Sequence, residues 1–149
     1  MTRPLTKTFW KSGILRGTMT ISASVSIDVP SLAEGIAFYC AAFGFSKKSE
    51  PVPGVVAVLA GLNVELVLLE KQAGSQPSPQ TKDRRTFERH WTPVHLDFHV
   101  DDLHAALEKV EALGAKREQV FENPEHGSAA FCSDPFGHGF CLILRKAKR

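Results

Sequence analysis

Two stretches of the chain repeat one alternation of polar and apolar positions. From Ser24 to Leu32, Val25, Ile27 and Val29 fall on one side, and Ser24, Ser26 and Asp28 on the other. From His95 to Leu103, 71 residues further on, Leu96, Phe98 and Val100 oppose His95, Asp97 and His99. A period of two is that of a half-buried β-strand, with one face on a core and one on solvent or a ligand. A helical pattern follows each strand. Leu32, Ile36, Phe38, Tyr39 and Phe43 form the first apolar stripe, and Leu103, Leu107, Val110 and Leu113 the second. Ser31 and Asp101 or Asp102 are suited to cap the helix starts, because their short side-chain oxygens accept from free backbone N–H groups. Gly44 and Gly114 stand where a left-handed residue would end each helix.

Strand-like runs come after each helix. They cover Val55–Leu59 and Val64–Leu69 in the first half, with a turn at Gly61–Asn63. In the second half they cover Arg117–Phe121, Ser128–Cys132 and Gly139–Leu144, with turns at Asn123-Pro124 and Asp134–Gly137. A strand near Ser46–Val52 is expected to be broken by Pro51 and Pro53. The order strand, helix, strands thus occurs twice. The expected organisation is a flexible leader over 1–19, a first βαβββ module over 20–70, a linker or flap over 71–92, and a second βαβββ module over 93–145. Phe87, His90 and Trp91 close the linker, as an anchor on the sheet or a cover over a pocket.

Composition narrows the function. The 149 residues carry a net charge of +2, and the positive residues are scattered except at Lys82–Arg85 and in the tail. Both clusters read as solvated, which argues against a nucleic-acid partner. No run of about 18 apolar residues is present, so no membrane span is expected. There is no secretory signal pattern, and Cys40, Cys132 and Cys141 cannot all pair within one chain. Free thiols in the cytoplasm are the expectation.

The pattern leading through Phe38-Tyr39 to Phe43-Gly44-Phe45, the segment Val94–Leu103, and the segment Ser133–Leu142 resemble the vicinal oxygen chelate superfamily of glyoxalase, bleomycin-resistance and extradiol-dioxygenase proteins. The resemblance runs from about Ile21 to Leu144. It implies an α+β fold in which two βαβββ modules form a curved mixed sheet around a cleft, usually in a homodimer. It also implies that the faces of Ser24, Ser26 and Asp28 and of His95, Asp97 and His99 point into that cleft, where Cys141 and, as a cover, Trp91 would join them in a site for a small molecule.

Metal-using members of that superfamily hold a divalent ion on the first and last strands of each module. Carried over, the resemblance points to Ser24, Glu65, His95 and Cys141. Glu65 and His95 fit as metal ligands or as a catalytic pair. Ser24 and Cys141 depart, since a neutral hydroxyl binds such ions poorly and a thiol is not a carboxylate base. The expectation is therefore a small-molecule-binding protein without a resident cofactor. The alternative is a metal-dependent lyase, isomerase or dioxygenase that uses Glu65 and His95 with zinc, nickel, iron or manganese. The missing ligands argue against true lactoylglutathione lyase activity. Further expectations are that Asp28 and Asp97 occupy matching positions, that Cys141 is an apolar filler, and that His138 is an exposed turn residue.

Overall fold

Residues 20–146 are described by the computed structural model, so the expected leader lies outside the described residues. In chain order the first module comprises β1 (Val25–Val29), α1 (Leu32–Phe43), β2 (Ser46–Val52), β3 (Val56–Ala60) and β4 (Leu66–Glu70). The second comprises β5 (Leu96–Val100), α2 (Leu103–Ala112), β6 (Lys116–Phe121), β7 (Ala129–Ser133) and β8 (Gly139–Leu144). Two four-stranded mixed sheets result, ordered β1-β4-β3-β2 and β5-β8-β7-β6. The two central pairings are equivalent: β1 runs parallel to β4 with Val25 opposite Leu66, and β5 runs parallel to β8 with Leu96 opposite Phe140.

The local signals act as the sequence implies. The Ser31 side chain accepts from the Glu34 N–H (3.3 Å), and Asp102 Oδ1 accepts from the Ala105 N–H (3.0 Å). Gly44 ends α1 at φ 80°, where its N–H donates to the Cys40 carbonyl. Strand β2 forms over Ser46–Val52 despite Pro51. It lies at the outer edge of its sheet and pairs irregularly with β3, so a residue without an N–H costs little there.

Each helix lies behind its own sheet. Val29, Leu59, Leu66 and Leu68 are fully buried in the first module, as are Leu107, Val110 and Leu142 in the second. Each such side chain contributes roughly 1.5–3 kcal/mol of burial. Aromatic rings join the two halves. Phe43 of α1 stacks on Phe98 of β5 at 3.6 Å between ring centres, and Phe38 meets Phe136 edge-on. Buried Asp134 closes the joint. Its Oδ2 accepts from the Tyr39 hydroxyl (2.6 Å), and its Oδ1 accepts from the N–H groups of Phe136 and His138 (2.9 Å each). Burial, reinforced by the neighbouring Asp134 carboxylate, holds the Tyr39 phenol well above its ordinary pKa.

The segment between the modules contains no helix or strand, yet it is pinned at both ends. Arg85 Nε donates to Asp28 Oδ2 at 2.6 Å, and its Nη1 reaches Ser75 Oγ and the Gln76 carbonyl. Arg85 is thus not the solvated cation expected of the Lys82–Arg85 cluster. Further on, the backbone of Glu88 passes so close to the turn before β8 that a Cβ on Gly137 would lie 2.0 Å from the Glu88 carbonyl oxygen. Only glycine, here at φ 87°, permits that crossing.

Candidate functional site

The polar faces read from the alternation do lie opposite the helices, but they do not share one hollow. Two concavities among the described residues bear on these faces. One, of about 420 Å³, separates the edge strands β1 and β5 and contains Ser26, Asp28, His90 and His138. The other, of about 170 Å³, lies on the inner face of the second sheet and contains His95, Cys141, Phe131 and, from the linker, Arg89 and Trp91. Ser24 is exposed and lines neither. His99 faces a separate depression beside Lys109 and Arg145.

The groove between β1 and β5 is a joint. His138 Nε2 lies 2.7 Å from the Asp28 carbonyl oxygen, and its Nδ1 lies 2.9 Å from His90 Nε2. His90 Nδ1 lies 2.8 Å from the Glu88 carbonyl. Both ends of this chain are acceptors, so three hydrogen bonds form only when the four ring nitrogens supply three N–H groups. His138, expected to be an exposed turn residue, therefore connects the linker to β1. Asp28 is engaged by Arg85, and its counterpart by register is His99 rather than Asp97. Asp28 and Asp97 therefore do not occupy the matching positions expected of them, and each has its own partner, Arg85 and His95.

The concavity on the second sheet carries the denser chemistry. Asp97 and Cys141 are direct neighbours across β5 and β8. His95 is two residues before Asp97, hence on the same face. His95 Nε2 and Asp97 Oδ1 are 3.1 Å apart, and one ligand atom from each of His95, Asp97 and Cys141 lies within 4.8 Å of the others. Cys141 is buried, as expected, and its thiol also stands beside Asp97. Burial, helped by the Asp97 carboxylate that accepts its hydrogen bond, pushes its thiol up to about 11.

Glu65 is not a member of this group. It immediately precedes β4 and is paired with Lys48 of β2. The register explains why. Glu65 stands one step before Leu66, as Gly139 stands one step before Phe140, so the residue corresponding to Cys141 is Val67. The four positions of a metal site shared by two modules are therefore Ser24, Val67, His95 and Cys141. A hydroxyl and an isopropyl group do not hold a divalent ion, and that shared site does not fit this chain.

Three residues absent from the sequence reading complete the concavity. Arg89 is paired with Glu118 of β6, its Nη2 lying 3.1 Å from Glu118 Oε2. The hydrogen bond from Arg89 lowers the Glu118 carboxyl below its ordinary value. Phe131 of β7 lies opposite Cys141 and is 40% exposed. The guanidinium rests directly on β8, and a Cβ on Gly139 would meet Arg89 Nη2 at 3.0 Å. Phe131 was open to detection by alternation from Cys132. Arg89 and Glu118 lie 29 residues apart and carried no local signal.

A glyoxalase-like domain model matches residues 24–143, the span that contains both sheets. The chain belongs to the glyoxalase-like domain family. No curated protein matches the sequence. Among solved structures, this glyoxalase-like chain is similar to the fosfomycin resistance protein FosX of Listeria monocytogenes, at 15% identity and a TM-score of 0.64 over 86% of this chain and 95% of that one. It is also similar to lactoylglutathione lyase of Agrobacterium tumefaciens (19% identity, TM-score 0.58, 85% of this chain and 94% of that one). A FosX variant from the same Listeria species, 16% identical with a TM-score of 0.63 over 84% of this chain and 90% of that one, was solved with Mn(II) and 1S,2S-dihydroxypropylphosphonic acid. At these identities the likeness establishes the shared fold.

Proposed function

We propose that this glyoxalase-like chain binds a small molecule on the inner face of its second module, and that a second copy of the chain closes the site. One observation carries the reading. Trp91, 80% exposed, and Phe131, 40% exposed, stand at a concavity that also holds His95, Cys141 and the Arg89–Glu118 pair. Exposed aromatic walls around a few convergent polar groups are the make-up of a ligand site. The small dihydroxy phosphonic acid held by the FosX variant supports a ligand of modest size.

The concavity is small and open. Its volume of about 170 Å³ falls below the roughly 300–1,000 Å³ of a complete small-molecule pocket. Phe121, 45% exposed and packed against Phe131, extends the uncovered apolar surface. A homodimer that covers this face supplies the missing wall. The three unpaired cysteines suit a reducing cytoplasm. No helix among the described residues is long and apolar enough to cross a membrane.

Direct acid–base catalysis by Glu65 and His95 has little support, because Lys48 holds Glu65 on the first sheet. Lactoylglutathione lyase chemistry has less. It needs a carboxylate base where this chain has the Cys141 thiol. An enzymatic reading therefore rests on metal chemistry in the second module.

The test is a thermal-shift and fluorescence screen with small aromatic compounds and thiol conjugates, using Trp91 as the reporter in a Trp10→Phe background. Binding is expected to quench Trp91 and to weaken at least tenfold in Phe131→Ala. Failure of every compound to shift the melt, or binding indifferent to both Trp91→Ala and Phe131→Ala, would overturn the proposal. Light scattering is expected to return twice the chain mass.

A further inference from the structure

We propose that His95, Asp97 and Cys141 constitute a three-ligand zinc site built within the second sheet alone, with its fourth coordination position open to the concavity beneath Trp91. The proposal concerns the ion and stands whether or not the pocket binds an organic molecule. It departs from the shared two-module site, to which the first module here contributes only Ser24 and Val67.

The argument begins with the register. Asp97 and Cys141 are fixed side by side by the β5–β8 ladder, and His95, the residue before β5, places its Nε2 3.1 Å from Asp97 Oδ1. Two of the donors sit on paired strands, and the third, His95, immediately precedes β5. An imidazole, a carboxylate and a thiol form an N/O/S set that suits borderline-soft zinc, whereas manganese favours oxygen donors. The Mn(II) of the FosX variant is thus not the ion this set would select.

The geometry is close to that of a bound ion. Ligand atoms placed tetrahedrally at zinc distances lie roughly 3.3–3.6 Å apart. Here all three fall within 4.8 Å, and the His95–Asp97 pair is already at 3.1 Å. The side chains of His95 and Asp97 are 47% and 49% exposed, so both are free to turn through the remaining distance. Cys141 is the buried, fixed member.

Charge also permits the ion. The Lys or Arg lining the concavity of His95 and Cys141 is Arg89, which Glu118 already neutralises; Lys109 and Arg145 line the neighbouring depression that Asp97 borders. Three protein ligands and an open fourth position describe a site able to take an exchangeable oxygen, nitrogen or sulfur donor from a small molecule. A ligand with such a donor flanked by an apolar group would satisfy the ion and the Trp91–Phe131 walls together.

The experiment uses the full chain, purified without chelator, and then the apo protein titrated with Zn(II) and with Co(II) as a spectroscopic substitute. One equivalent of metal per chain is expected, with Co(II) giving tetrahedral visible bands and a thiolate-to-cobalt charge-transfer band in the near ultraviolet. Cys141→Ser should abolish the charge-transfer band, and Asp97→Asn and His95→Ala should each weaken Zn(II) binding at least tenfold. Glu65→Gln should leave the stoichiometry and spectra unchanged. The half-exposed positions of His95 and Asp97 keep the test valid even if Cys141→Ser fails to fold. Absence of bound metal, an octahedral Co(II) spectrum without a thiolate band, or unweakened binding in both Asp97→Asn and His95→Ala would overturn the proposal.

Discussion

The two modules share one topology and one register, but their inner faces have diverged. Where the second module has His95, Asp97, Cys141 and Phe131, the first has Ser24, Ser26, Val67 and Val58. The core-facing rows are the same in kind: Val25, Ile27 and Val29 in one, Leu96, Phe98 and Val100 in the other. The comparison shows which part of a duplicated sheet is constrained. Residues that pack on the helix cannot turn polar without losing burial energy. Those on the opposite face answer only to whatever binds there. The first module has two serines and two valines at these positions, and the second holds the convergent donors.

The largest expected change comes from transferring those donors. Ser24→His, Ser26→Asp and Val67→Cys together place the same three groups at the equivalent register positions of β1 and β4. If the register alone makes the second module's group, the triple variant should take up a second equivalent of Co(II) with its own thiolate band. Retention of a single equivalent would show that linker residues such as Arg89 and Trp91 are needed as well.

Next in size is the joint on which the comparison depends. Asp134→Ala would leave the Tyr39 hydroxyl and two backbone N–H groups without their acceptor. At ~1–3 kcal/mol for each of three orphaned polar groups, the variant should lose at least about 3 kcal/mol in a urea melt. It should also unfold in two steps if the modules are separable units. Gly137→Ala acts at the linker instead. A methyl group cannot fit 2.0 Å from the Glu88 carbonyl, and φ 87° is strained for alanine. A loss of about 2–3 kcal/mol is expected, with faster hydrogen exchange at His90, whose N–H donates to the Gly137 carbonyl.

How much of this was legible follows from the range of each interaction. The duplicate strands, both helices and the caps Ser31, Asp102 and Gly44 rest on contacts within a few residues, and periodicity reveals those. Strand β2 was only weakly signalled because Pro51 breaks a central strand but not an edge, and edge position is a tertiary property. Cys141 and His95 were singled out through motif likeness, and Asp97 through alternation, and the structure brings the three together. Glu65 was misassigned because motif likeness does not fix the register of a parallel pair 41 residues apart, as Val25 and Leu66 are. Arg89, Glu118 and the Tyr39–Asp134 bond join distant segments and leave no local trace.

The smallest expected effect separates the modules by their thiols. The second module contains Cys132 and Cys141, both pushed up from 9.0 to about 11, chiefly by burial. An acid whose pKa is raised by folding binds its proton more tightly in the native state. Between pH 9 and pH 11 the unfolded chain therefore carries fewer protons than the folded one, and stability must fall as pH rises. Below pH 9 both states are protonated and the contribution is complete. Tyr39 adds a loss of the same sign above pH 10, since its phenol is raised too. The cysteine share is isolated by comparing urea midpoints of the apo wild type and Cys132→Ala/Cys141→Ser across this window. The double variant should show a shallower decline around pH 9, where the thiols of the unfolded chain ionise ahead of the Tyr39 phenol. Cys40, half-buried on α1 of the first module, provides the internal contrast. Its replacement by serine should alter that slope less than the double substitution does. An equal change would mean that the buried thiols of the second sheet are not what sets it apart.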